Sequence, residues 1–220
     1  LPFGFRDYAI TSNATDVVSV EMDESGMQVV KALKKGVATL TYTNAYDSTK
    51  TATVVVTVKQ EPTSIEFVSY SINGGDEKFF ANLPAAMIVA GLDQEITVKT
   101  RILPEDADID EGSFVMELMR AEGIGEIVSP SAVEGNECVI TVKGVATGMF
   151  MLNAQAQYTR EEETITISKS INIQIKQTVT DIVVADETTF WIGLNGETFD
   201  FPITVLPESA TVKHLNFTYE

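Results

Sequence analysis

One cysteine and one histidine are all that this 220-residue chain carries of the two side chains most used for metal and nucleophile chemistry. Cys138 alone cannot build a disulfide framework, and Cys138 with His214 cannot make a zinc site of Cys/His type. A Ser-His-Asp triad has no support either, since Val212-Lys213-His214-Leu215 offers no nucleophile, and His214 reads as a surface residue of a strand. Basic residues are scarce too: 15 Lys+Arg stand against 32 Asp+Glu, for a formal charge of −17. Such a chain repels phosphate backbones and anionic lipid, which excludes nucleic acid as a partner. No apolar run approaches the roughly 18 residues of a membrane-spanning helix, and Leu1-Pro2-Phe3-Gly4-Phe5 lacks the basic start of a signal peptide, so neither membrane insertion nor a leader is read in this segment. With 44% hydrophobic and 21% charged residues, the chain has enough apolar matter for one or two domains with cores, and intrinsic disorder is excluded.

What is present is period-2 patterning. Runs rich in β-branched residues occur at 51–59, 94–103, 136–144, 164–176 and 201–207, and each predicts a strand. Turn clusters such as Asn73-Gly74-Gly75-Asp76 and Asn195-Gly196 separate them at the cadence of a β-sandwich rather than of βαβ units. Helix formers gather only at Phe80–Leu92, which could be argued as helical, and at Phe114–Glu122. The second stretch lacks an i, i+3, i+4 apolar stripe and is read as a strand. On the 136–144 strand, Cys138, Val139 and Val142 are expected on the inner face, with the lone thiol acting as a small hydrophobe.

The chain also repeats itself. Lys59-Gln60 followed by Thr63-Ser64-Ile65 recurs 117 residues later as Lys176-Gln177 followed by Thr180-Asp181-Ile182. Val30 to Gly36 recurs 112 residues later as Val142 to Gly148, and Leu103-Pro104-Glu105-Asp106-Ala107 recurs 103 residues later as Leu206-Pro207-Glu208-Ser209-Ala210. Unequal offsets place insertions in loops, where added length costs little. Three segments follow: 1–60 as the back part of one unit, 61–178 as a whole unit, and 179–220 as the front part of another.

These residues resemble a family. A front strand ending in Leu-Pro-Glu-x-Ala, the segment Thr11-Ser12-Asn13 with Val17-Val18-Ser19-Val20, the stretch Gly26 to Thr41, and a last strand Ala52 to Val58 are similar to the bacterial immunoglobulin-like group 2 domain. The middle unit departs from the pattern at Gly148-Met149-Phe150-Met151 and at Phe114–Glu122. The resemblance implies an all-β protein of tandem immunoglobulin-like β-sandwiches. It also implies a place on the bacterial cell surface or among secreted proteins, with neighbouring domains of the same kind as partners and a host-surface protein or glycan as a further one. The function implied is that of a non-enzymatic spacer or adhesion module. The alternative is a carbohydrate-binding accessory domain of a secreted glycan-active protein; a phage or pilus structural protein is a third reading.

Two candidate sites accompany this reading. Asp106, Asp108, Asp110 and Glu117 occupy positions 1, 3, 5 and 12 of a calcium-type loop, where alternate oxygen ligands curl around a hard cation. The glycine falls one place late, at Gly112, so a plain acidic turn is the alternative. An immunoglobulin-like topology would bring Asp106–Glu111, Glu134 with Glu137, and Glu161-Glu162-Glu163 to one pole, where a cation would relieve the like charge. Trp191 and Phe199 could stack on the apolar face of a pyranose, or Trp191 could plug the sandwich core. Paired carboxylates are plentiful, but none stands at a defined separation around a cleft, so no enzyme is read here. Finally, a half-sandwich leaves an apolar face and open edges, so the two terminal segments are expected either to complete each other between chains or to reflect an excised piece.

Overall fold

A computed structural model describes residues 8–82, 87–184, 203–211 and 213. The regular elements among them are strands, apart from one 3-10 turn at Phe80–Asn82. The chain divides into two compact units, Leu1–Pro62 with Pro104–Asp108, and Thr63–Leu103 with Ile109–Glu220.

The first unit contains β1 (Tyr8–Ser12), β2 (Val18–Met22), β3 (Gln28–Ala32), β4 (Gly36–Asn44) and β5 (Thr51–Val58). The antiparallel sheet β1-β4-β5 and the hairpin β2-β3 enclose a small core of Val17, Val18, Ala38 and Leu40. Alternation along Gly36-Val37-Ala38-Thr39-Leu40 turns Ala38 and Leu40 inward and leaves Val37 in solvent, the period-2 consequence of a pleated strand.

The second unit opens with β6 (Ser64–Ile72), β7 (Lys78–Phe79), β8 (Met87–Gly91) and β9 (Glu95–Leu103). It continues through β10 (Val115–Met119), β11 (Gly125–Glu134), β12 (Glu137–Gly144), β13 (Gly148–Arg160) and β14 (Glu163–Lys176). One sheet has the order β11-β12-β9-β6-β7 and the other β10-β13-β14-β8. This is the immunoglobulin-like arrangement, with β6, β9, β12 and β11 opposed to β10, β13 and β14. Ile96, Val98, Ile140 and Val142 from one sheet meet Phe150, Leu152, Ile173 and Ile175 from the other, all buried. Each such side chain contributes about 1.5–3 kcal/mol when fully buried. The hairpin β15 (Asp181–Val184) and β16 (Ile203–Leu206) follows, paired antiparallel from Asp181↔Leu206 to Val184↔Ile203.

Phe114–Glu122 contributes strand β10, as its missing helical stripe implied. In the other ambiguous segment, Met87–Gly91 is strand β8, paired in parallel with β14 from Met87↔Asn172 to Gly91↔Lys176. Ile88 and Ala90 point inward there, so the residues alternate and the free edge of β14 supplies the hydrogen bonds. Val139 corrects the expected inner face. Strict alternation buries Cys138, Ile140 and Val142 and turns Val139 outward, beside Lys99 and Thr97. Between β13 and β14, Arg160 pairs with Glu163, and both linking residues, Glu161 and Glu162, have positive φ (49° and 69°). This two-residue turn matches the right-handed twist of the strands it joins.

Candidate functional site

The strongest local construction in the molecule lies where the linker after a last strand meets the Leu-Pro-Glu loop, and it occurs twice. At its first occurrence the Thr63 N–H and Oγ1 both donate to the Leu103 carbonyl, at 2.7 and 3.0 Å. The Ala107 N–H turns back to the Pro104 carbonyl at 3.0 Å, and the Asp108 N–H donates to the Gln60 carbonyl at 2.7 Å. The Asp108 carboxylate returns the contact by accepting from the Gln60 N–H at 2.8 Å. At the second occurrence the Thr180 N–H and Oγ1 donate to the Leu206 carbonyl at 2.8 and 3.2 Å, and the Ala210 N–H reaches the Pro207 carbonyl at 2.9 Å. The Thr211 N–H donates to the Gln177 carbonyl at 2.9 Å, while the Gln177 N–H donates to Thr211 Oγ1 at 3.2 Å. Asp108 and Thr211 therefore play one part with different chemistry: each is a side-chain oxygen that accepts the linker amide. A lysine touches each loop, though at non-equivalent places: Lys35 Nζ, distant in sequence, donates to the Asp106 carbonyl, and Lys213 Nζ, from the loop itself, donates to the Glu208 carbonyl, each at 2.6 Å.

This construction accounts for the acidic loop. Lys35 Nζ also lies 2.7 Å from Asp108 Oδ1. Burial works against ionisation of the Asp108 carboxyl, but the Lys35 and Gln60 hydrogen bonds and the charges of Lys35 and Lys59 outweigh it and hold its pKa below the ordinary carboxylate value. Asp110 Oδ2 accepts from Thr159 Oγ1 at 3.0 Å, and Glu117, out on β10, accepts from Asn153 Nδ2 at 3.3 Å. Among the described residues there is no group of three or more His, Cys, Asp or Glu that could hold a metal ion. The curl of a calcium loop needs its sharp glycine turn at the sixth position; here Glu111 stands there and the positive φ of 71° is at Gly112. The melting temperature of the chain is accordingly expected to be the same in EDTA and in millimolar calcium. A rise of several degrees with calcium would instead show that the loop binds a cation.

Trp191 and Phe199, considered for a glycan, lie outside the described residues, as does His214. The Cys138 thiol is buried, and that burial pushes its pKa up to about 11 against a partly opposing hydrogen bond from Ser131. The thiolate needed for disulfide or metal chemistry is therefore suppressed. The depression bounded by Ser69, Tyr70, Glu77, Thr97 and Lys99 holds about 140 Å³, well below the roughly 300 Å³ at which small-molecule sites begin. Ser69 donates a hydrogen bond to Glu77 inside it. Two larger hollows, beside Tyr8 and Tyr42 and beside Arg120 and Glu126, are open surface at a strand end and a turn.

Sequence reasoning found the Leu-Pro-Glu repeat but missed the roles of Gln60, Lys35 and Thr211. The signal available was the recurrence of a Lys-Gln pair at both linkers, which identifies the amide that the loop must cap.

No family model matches the chain, and no curated protein does. Among solved structures it is similar to domains 4 and 5 of the S-layer protein SbsC, at 15% identity over 77% of this chain and 70% of that one, with a TM-score of 0.31. It is similar to a titin fragment at 11% identity over 78% and 85%, TM-score 0.38. A further likeness is to a SusE-like, surface-located polysaccharide-binding protein from the Bacteroides thetaiotaomicron heparin utilisation locus, at 13% identity over 79% and 30%, TM-score 0.31. The immunoglobulin-like fold itself stands on the strand order and register of the second unit.

Proposed function

We propose that this chain is a run of repeats of the bacterial immunoglobulin-like group 2 kind. Residues 1–60 are the back part of one repeat, 61–178 a whole one, and 179–220 the front part of the next. The run serves as a non-enzymatic structural or adhesion module of a bacterial cell-surface or secreted protein. The observation that carries this reading is the doubled linker: the same set of hydrogen bonds closes the Leu-Pro-Glu loop over the incoming chain at Gln60 and at Gln177. A protein that works by the spacing of its domains needs its connections made alike, because its length and stiffness are set repeat by repeat. The buried, weakly acidic thiol suits an oxidising exterior, since it neither cross-links nor offers a thiolate to oxidants.

A glycan array probed with the whole chain tests the assignment. A spacer is expected to bind nothing. Binding that disappears in Trp191→Ala or Phe199→Ala would transfer the chain to the carbohydrate-binding accessory class.

A further inference from the structure

Strand register brings three methionines together on the solvent face of the β10-β13-β14-β8 sheet, and we propose that their thioethers form a binding site for a soft monovalent cation, copper(I). Side chains alternate along both strands that carry them. On β13, Phe150 and Leu152 turn into the core and Met149 and Met151 turn out; on β10, Met116 is buried and Met119 is exposed. Met119 and Met151 are direct partners in the antiparallel β10–β13 pair. Partners on one face of such a pair have Cβ atoms about 4.5–5.5 Å apart, and the diagonal neighbour, here Met149, lies about 7–8 Å away. A methionine sulfur stands two bonds beyond Cβ on a side chain with three rotatable bonds, so the three sulfurs can converge on one ion. All three residues belong to the second unit.

Core packing does not account for these side chains. Methionine is among the residues most often found inside, yet Met119 is 43% and Met149 53% exposed. The face around them is polar: Glu117 pairs with Asn153 in the next row, and Asn172 and Gln174 on β14 stand opposite Met151 and Met149. The donor set selects the metal. Thioethers are soft and neutral, which suits copper(I), whereas calcium, magnesium and manganese require carboxylate and carbonyl oxygen. Glu117, two residues before Met119 on the same face, sets one carboxylate beside the single positive charge, and the net charge of −17 favours cations over the whole surface. A thioether has no proton to lose, so affinity here is independent of pH where histidine and thiol ligands would have to shed theirs. Neither the repeat register nor the spacer role bears on this site.

Titration of the whole chain with the acetonitrile complex of copper(I), without oxygen, tests the site by calorimetry and by the carbon-13 methyl signals of the seven methionines. Wild type is expected to take up one equivalent, with the same affinity between about pH 6 and 8, where the carboxylates stay ionised. The Met119, Met149 and Met151 methyl signals are expected to shift and saturate together, and the other four to stay. Met119→Leu with Met149→Leu and Met151→Leu keeps the volume and apolar character of each side chain, so the fold is retained and the uptake is expected to be lost. Met22→Leu with Met27→Leu removes two exposed thioethers of the first unit and is expected to leave uptake unchanged. The inference is overturned by a wild type that takes up no copper(I), by methyl shifts spread over all seven signals, or by uptake that survives the triple change. Uptake that weakens as the pH falls also overturns it, since that would assign the ion to His214 or Cys138.

Discussion

Gly125→Val is expected to destabilise the second unit by about 1–3 kcal/mol and Phe150→Ala by about 3–5 kcal/mol, while the two changes together lose less than either alone. The reason is a facing pair whose sizes are exchanged between the two units. A Cβ on Gly125 would stand 2.8 to 3.0 Å from three carbons of the Phe150 ring, closer than packed side chains allow. In the first unit the corresponding residues are Val18 and Ala38, both buried, with the large side chain on the β2 strand and the small one on β4. Valine at 125 alone forces the ring from its place. Alanine at 150 alone leaves a cavity that the surrounding strands close only in part. The double variant writes the first unit's solution into the second and keeps the total volume nearly constant, a class of change that costs less than about 1.5 kcal/mol. Denaturant unfolding followed by circular dichroism completes the cycle. Simple addition of the two losses would mean that the pair is not a packing unit.

The second large effect is of a different kind, and no partner change is expected to relieve it. Gly148→Ala should cost about 1–3 kcal/mol, because the strain is in the backbone. Gly148 has φ of +153°, a region an L side chain rarely adopts, and its Cβ would meet Ile124 Cδ1 at 3.0 Å. Gly36 repeats both features, with φ of +154° and Val17 Cγ2 at 3.0 Å. The surrounding bonds recur as well. The Val145 and Ala146 amides donate to the Ile124 carbonyl at 2.8 and 3.3 Å, as the Leu33 and Lys34 amides donate to the Val17 carbonyl at 2.8 and 3.3 Å. These bonds hold the chain in a corner that only glycine enters without penalty. Trimming the neighbour in Gly148→Ala with Ile124→Ala should therefore recover little. Full recovery would place the cost in the side-chain contact instead.

The strands were legible because a buried face and a wet face must alternate along a pleat. The run at 94–103 became β9, that at 136–144 became β12, and that at 164–176 became β14. The same rule, applied residue by residue, would have turned Val139 outward. Strand β8 was hard to read because five residues beside Phe80–Asn82 carry too little pattern to separate helix from strand, and its place is set by the edge of β14, a partner some 85 residues away. The acidic loop invited a cation because sequence shows charge without showing what faces it. Asp108 faces Lys35 and the Gln60 amide, Asp110 faces Thr159, and Glu117 faces Asn153, so the carboxylates have partners already.

The order of residues by itself determined an all-β chain, since period-2 apolar patterning is a local property that each short stretch carries alone. It also determined where the pattern recurs, because a recurrence needs only the chain compared with itself. Which residues face one another was decided only by the tertiary structure: Gly125 under the Phe150 ring, Lys35 on Asp108, Met119 opposite Met151. Close packing and charge pairing act across strands far apart in the chain, and their outcome depends on distances that no local pattern encodes.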